Sequence, residues 1–282
     1  MKFSKNLVIG SNGLLGSEIV KQLKKKKICY FTIARKKSDF NLDLEKYNKL
    51  EEFFKKNNFL NVINCAAKIS IDYCEKNYRK AIIINYNFPK YLTKLSMKYN
   101  FKLVHISSDH VYKGKKFKLN SEKSKLFPIN KYALSKILAE KVVKINKKNL
   151  IIRTNFTGRK NDGNSFIDWL DKNIKKKNTI KLFNDMYTST IDVKTCAKII
   201  VDLIISKSSG IYNLGSKDVI SKKEFAIKYA GKIRKKIKFI SESCDDLNVP
   251  RGKNLGLNVK KIEKKLNIKM PTSSKVIKNL VL

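Results

Sequence analysis

Histidine occurs twice and cysteine five times in the 282 residues, and no two cysteines stand in a C-x-x-C pair. That scarcity argues against a zinc site, and the odd, scattered set Cys29, Cys65, Cys74, Cys196 and Cys244 argues against a disulfide framework. Only four prolines are present, and no Pro/Gly-rich tract reads as a linker between tethered modules. No apolar run approaches the roughly 20 residues that cross a bilayer. The N-terminus has neither the apolar stretch nor the small-residue cleavage site of a signal peptide, so the expectation is a cytoplasmic protein with no membrane partner. Acidic residues are also short: 23 Asp and Glu face 63 Lys and Arg, a formal charge of +40. Such an excess is the usual footprint of a nucleic-acid binder. Here lysine is spread through Lys24–Lys27, Lys113–Lys118, Lys175–Lys177 and Lys260–Lys265, and arginine is scarce beside it. That pattern reads as solvated faces, with no specific nucleic-acid partner and only weak, salt-sensitive binding expected.

What is present begins at Leu7-Val8-Ile9, an apolar run that ends in Gly10, Gly13 and Gly16, after which Leu14, Leu15, Ile19, Val20 and Leu23 recur at helical spacing. The pattern is strand, tight turn, helix. The three glycines differ in what they allow. The first permits the turn, the second lets a phosphate approach the backbone, and the third lets helix pack on strand. The helix N-terminus then offers free N–H groups to a pyrophosphate. The spacing G-x-x-G-x-x-G differs from the G-x-G-x-x-G fingerprint. Lys27–Ala34 reads as a second, parallel strand, and Arg35 at its end suits a 2′-phosphate where an acidic residue would suit a ribose hydroxyl.

Further strands are read at Phe59–Ile63, Phe101–Ile106, Asn149–Arg153 and Gly210–Gly215, each preceded by a helical stretch, amphipathic at Tyr47–Lys56 and apolar at Val193–Ile205. Tyr78–Tyr99 is helical with a kink or restart at Pro89, and Asn130 is a candidate N-cap for a helix reaching about Ile145. Beyond residue 155, helices are expected at Phe166–Ile174, Val193–Ile205, Lys222–Ile233 and Val259–Leu266, the last before Pro271. Short strands are expected at Ile180–Phe183 and Ile237–Ser241. The fold class is therefore α/β, a Rossmann-type doubly wound parallel sheet over residues 1–155 with a smaller substrate-binding lobe over 156–282. The strand near 210–214 returns from that lobe to the sheet.

Two strand ends carry chemistry. Asn64-Cys65-Ala66-Ala67 places small residues at one carboxyl end, and Ser107-Ser108-Asp109 places hydroxyls and a carboxylate at the next. Tyr132 and Lys136 are four apart on a helix and share one face. An ammonium beside a phenol favours the phenolate, which makes Tyr132 a credible general acid, with Ser108 polarising a carbonyl.

These residues, in this order, resemble the extended short-chain dehydrogenase/reductases, and within them the dTDP-4-dehydrorhamnose reductase family. Gly10 to Gly16, Asn64 to Ala67 and Ser107 to Tyr112 are similar to that family's motifs. So are Arg153-Thr154-Asn155-Phe156, Asn184 to Tyr187, Gly210 to Gly215 and Arg251 to Leu255. The resemblance implies Ser108, Tyr132 and Lys136 as the catalytic set. It implies cofactor contacts from Gly10, Asn12, Gly13, Leu14, Leu15, Gly16, Arg35, Asp43, Leu44, Cys65, Ala66, Ala67, Tyr132 and Lys136, and substrate contacts from Ser107, Ser108, Asn155, Phe156 and Arg251. The implied activity is NADPH-dependent reduction of a nucleotide-linked 4-keto-6-deoxy sugar, with NAD as the other cofactor and a homodimer as the assembly to test. His110, Phe156 and Gly252 depart from the family's residues, which leaves the sugar open. Glu18 matches one acidic position at which some relatives bind magnesium, but Lys194 stands near another, and no metal is expected. Two other functions stay open: an epimerase, dehydratase or reducing epimerase of sugar nucleotides, or a non-catalytic NADP-binding regulatory subunit.

Overall fold

The computed structural model describes residues 5–114, 118–160, 163 and 165–281. Residues 115–117 of the lysine-rich run at 113–118 lie outside this set. Six strands, β1 (Asn6–Ile9), β2 (Tyr30–Ala34), β3 (Phe40–Asn41), β4 (Asn61–Asn64), β5 (Lys102–Ser108) and β6 (Leu150–Thr154), join Gly210–Leu214 in a seven-stranded sheet. Its order is Gly210–Leu214, β6, β5, β4, β1, β2, β3, and the pairs β1–β2, β1–β4, β2–β3 and β4–β5 are parallel. The order reverses at β1, the switch characteristic of a doubly wound sheet, beside which ligands sit at the strands' carboxyl ends. Every residue of β1, β4 and β6 is buried. Covering both faces requires the near-continuous apolar runs seen at Leu7–Ile9, Val62–Ile63 and Leu150–Ile152. Leu7, Ile33, Phe54, Phe88, Leu92 and Leu103 form part of the core beneath them.

The chain divides into two compact units. One comprises the chain up to Ser108 with Lys131–Arg153 and Ala197–Tyr212; the other comprises Asp109–Asn130, Thr154–Cys196 and everything from Asn213 on. The units interleave: Gly210–Leu214 lies at the edge of the sheet, as the strand expected to return near 210–214, and the segment after β5, residues 109–130, belongs to the second unit. That unit holds three small sheets: Phe156–Thr157 with Ile191–Asp192, Thr179–Phe183 with Lys238–Glu242, and Ile220–Ser221 with Tyr187–Thr188 and Asn254–Leu255. Capping boxes start two of its helices, Ser165 with Asp168 before Phe166–Lys175 and Ser221 with Glu224 before Lys222–Lys232. Each places a hydroxyl on a free N–H and a carboxylate on the cap N–H.

Three differences from the sequence expectation have physical causes. Lys27 adopts φ 55 and ends the first helix, so β2 starts only at Tyr30. A two-residue edge strand, β3, follows it, too short for a periodic signal. Pro271 does not end the structure: Ser273–Val281 is a further helix that buries Val276, Ile277 and Leu280. No helix among the described residues is long and apolar enough to cross a membrane.

Candidate active site

Gly10 follows β1 with φ 78, a region that favours glycine, and a Cβ there would lie 3.0 Å from the backbone nitrogen of Ala66. Helix α1 (Leu14–Lys25) starts at Gly13, which offers no side-chain cap, and its first turn holds no acidic residue. A Cβ on Gly16 would stand 2.2 Å from the Gly10 carbonyl oxygen. The loop is therefore closed to side chains, and its helix end suits an anion, as a pyrophosphate requires. Asn12 donates to the Lys36 carbonyl at 2.6 Å and ties the glycine turn to the chain after β2. Arg35 is exposed there and forms no ion pair with any described residue. Asp43 accepts from the Glu45 N–H at 3.0 Å, and Leu44 packs against the core.

The loop after β4 lies beside this turn: the Cys65 N–H donates to the Ile9 carbonyl at 3.0 Å, and the Ala66 N–H to the Asn64 side chain at 3.1 Å. Burial pushes the Cys65 thiol up to about 12, opposed by the Lys136 charge, so this cysteine is no nucleophile. All five cysteines are free.

β5 carries Ser107 and Ser108, both 5% exposed, at its carboxyl end. Helix Lys131–Val143 carries Tyr132 and Lys136. The tyrosine packs with Cys74, Ala81 and Ile71. Lys136 is 2% exposed, and its Nζ donates to the Ile106 carbonyl at 2.7 Å. Burial lowers its pKa to about 8, against the opposing pull of Glu140, Cys74 and Cys65. It is thus charged at neutral pH with its proton loosely held. His105, behind it on β5, is kept neutral by burial and by the Lys136 charge. Ser107 donates to buried Glu140 at 2.6 Å, which engages its hydroxyl in the protein interior.

Asn85 belongs to the site's support and was not among the expected residues. The kink expected at Pro89 is a wide turn, Ile83–Asn87, in which the Phe88 N–H reaches back to the Ile83 carbonyl before Phe88–Lys98 restarts. Proline has no N–H to give the ordinary ladder, and the wider turn accommodates that loss. Asn85, within that turn and 1% exposed, accepts from the Lys68 N–H at 2.8 Å, and donates to the Lys68 carbonyl at 3.0 Å and to Ser135 at 3.1 Å. It thereby fixes the loop after β4 to the helix of Tyr132. A lone amide in Ile82-Ile83-Ile84-Asn85, four residues before a proline, was the available signal. Asn85→Ala strands the Lys68 N–H and leaves the Lys68 carbonyl with the Cys74 thiol at 3.3 Å, and it is expected to cost about 1–3 kcal/mol, measured by urea unfolding; an unchanged midpoint would refute the tie.

In the second unit, Asn155 donates to Asp109 at 2.9 Å and accepts from Thr190 at 3.2 Å. Phe156 lies on the strand paired with Ile191–Asp192. Burial lowers the His110 pKa; Asp109 opposes this, and Lys222 and Arg251 add to it, so the imidazole is neutral. A Cβ on Gly252 would lie 2.5 Å from a terminal methyl of Leu255, which can turn aside, and 3.1 Å from the Tyr112 carbonyl oxygen. Asn130 donates to the Pro250 carbonyl at 2.9 Å. Among the described residues no group of three or more His, Cys, Asp or Glu could hold a metal ion.

The sequence profile described as RmlD substrate binding domain matches residues 4–281. The spore coat polysaccharide biosynthesis protein SpsK of Bacillus subtilis is 31% identical over 224 residues, 79% of this chain and 77% of that protein. The probable low-salt glycan biosynthesis reductase Agl14 of Haloferax volcanii is 26% identical over 94% of this chain and 93% of that protein. Among solved structures, the dTDP-4-dehydrorhamnose reductase of Bacillus anthracis in complex with NADP superposes with a TM-score of 0.90 at 24% identity, covering 99% of this chain and 98% of that one.

Proposed function

Since the chain belongs to the RmlD substrate binding domain family, a family of oxidoreductases acting on sugar nucleotides, we propose that it is an NADPH-dependent reductase of a nucleotide-linked 4-keto-6-deoxy sugar. The observation that carries this reading is the placement of Ser108 at the end of β5, with Tyr132 and a buried, charged Lys136 one turn apart on the neighbouring helix.

NADPH supplies the hydride when bound. The glycine turn and the open first turn of α1 would hold its pyrophosphate and Arg35 its 2′-phosphate, and Asp43, Leu44 and Cys65–Ala67 would line its site. Lys136 would hold the nicotinamide ribose and favour the phenolate form of Tyr132. Ser108 would donate to the substrate's carbonyl oxygen, and Tyr132 would give that oxygen its proton. Asn155, Phe156 and Arg251 are assigned to the nucleotide sugar. NADP in the Bacillus anthracis structure supports the cofactor, and the polysaccharide and glycan roles in the relatives' names support the substrate class. Oxidation of NADPH by a nucleotide-linked 4-keto-6-deoxy sugar, absent in Tyr132→Phe, is the test.

Cofactor choice is checked separately. NADPH is expected to bind at least ten-fold more tightly than NADH, because a charge-assisted pair is worth about 1.5–3 kcal/mol. Arg35→Asp should abolish or reverse that preference in fluorescence titrations. Equal affinities in the parent at moderate salt would sink the assignment.

A further inference from the structure

One turn beyond Lys136 on the same helix, Glu140 is 1% exposed and Arg153, from β6, is 2% exposed. The Arg153 Nε donates to both carboxylate oxygens of Glu140, at 2.9 and 3.1 Å, and its terminal nitrogen donates at 2.5 Å. Ser107, from β5, adds a fourth bond at 2.6 Å. Burying such a pair is costly, and only this density of bonds makes it tolerable. A methionine or leucine pair would pack the same space without that cost. Two adjacent residues of β5 thus grip successive turns of one helix: the Ile106 carbonyl takes Lys136 and the Ser107 hydroxyl takes Glu140. The helix can neither slide along β5 nor rotate without breaking both.

We propose that Glu140, locked by Arg153 and Ser107, is the positioning residue that sets where Lys136 stands on β5 and supplies the counter-charge for its buried ammonium. The inference rests on the role assigned to Lys136 toward the cofactor. The titratable groups whose charge acts on Lys136, or on which its charge acts, are Glu140 on its own helix, Cys74 on Ile71–Lys76, Cys65 after β4 and His105 on β5. Cys65 and Cys74 have thiols raised by burial, and His105 is neutral. Glu140 is therefore the one anion in that set. Burial lowers the Lys136 pKa and Glu140 raises it, so removing the carboxylate must let the proton leave at lower pH.

Glu140→Gln alone leaves Arg153 buried without its counter-charge and destabilises the fold, so the informative variant is Glu140→Gln/Arg153→Met. NADPH affinity is followed by fluorescence from about pH 6 to pH 10, with thermal melts confirming that each variant is folded. The parent should lose affinity as pH rises through about 8. The double variant should begin to lose it about one pH unit lower, and Arg153→Lys, which keeps Glu140 and a cation beside it, should keep most of the parental profile. A folded double variant whose profile superposes on the parent's overturns the inference. If the double variant does not fold, Ser107→Ala decides, since it removes one bond from Glu140 without orphaning a charge; a parental profile there overturns the inference equally. A parent that binds NADPH with this profile yet reduces no 4-keto sugar refutes the proposed reaction and leaves the inference standing.

Discussion

Tyr132→Phe is expected to lower kcat by about 10²–10⁴ while leaving NADPH affinity close to the parent's. The ring is 7% exposed and packs with Cys74, Ala81 and Ile71, so phenylalanine keeps the packing and removes only the hydroxyl. The lost factor then reports proton transfer and not a disturbed fold. Lys136→Met should differ in kind. It removes the bond to the Ile106 carbonyl and the charge one helical turn from Tyr132, so kcat and NADPH affinity should fall together. Ser108→Ala should be milder than either, on the order of 3 kcal/mol, because the tyrosine still bonds the same oxygen. A Tyr132→Phe enzyme with near-parental kcat on a substrate the parent demonstrably reduces would overturn this ranking.

Gly16→Ala should damage stability and cofactor binding at once. The added methyl would lie 2.2 Å from the Gly10 carbonyl oxygen, 2.9 Å from its carbon and 3.0 Å from the Ser11 Cα, all backbone atoms with no rotamer to yield. Either α1 moves off β1 or the turn opens, at a cost of about 1–3 kcal/mol. Both movements redirect the N–H groups proposed to hold the pyrophosphate, so NADPH affinity should drop in step with the melting temperature. Gly231→Ala is the control: it lies in helix Lys222–Lys232, a Cβ there meets nothing within 4 Å, and the change should be neutral or stabilising by about 0.5–1 kcal/mol. Equal melting temperatures for the two variants would refute the close-packing account of Gly16.

The parts legible in the sequence were those in which a local constraint is written in a few adjacent residues. Gly10 and Gly16 declared the turn because only glycine meets the positive φ and the 2.2 Å approach found there. Val193–Ile205 agrees end to end with the apolar helix expected, and Gly210–Leu214 is the sheet strand expected, since both are long or strongly apolar. Chain ends of elements were less legible: Lys27 terminates α1 through its backbone conformation, which no side-chain pattern announces. Partnerships between distant residues were not legible at all. Nothing local in Ser107 tells that its hydroxyl is engaged by Glu140, thirty-three positions on, and nothing in Asn85 names Lys68 or Ser135. Both roles come from strand order and helix register, which only the assembled sheet supplies. The second unit was the hardest to divide, because its segments interrupt the first and composition does not change at the crossings.

The edge position of Gly210–Leu214 beside β6 bears on how the protein is made. During synthesis β6 is complete at Thr154, but its outer neighbour does not exist until residue 214 has been added. At roughly 5–20 residues per second, the growing chain spends roughly 3–12 s with a fully buried-type strand, Leu150-Ile151-Ile152, presenting an unpaired edge. Such an edge is a template for pairing with another nascent chain. A fragment ending near residue 155 would carry that exposure permanently, so shortening the protein to that point should give aggregates and not a small folded domain.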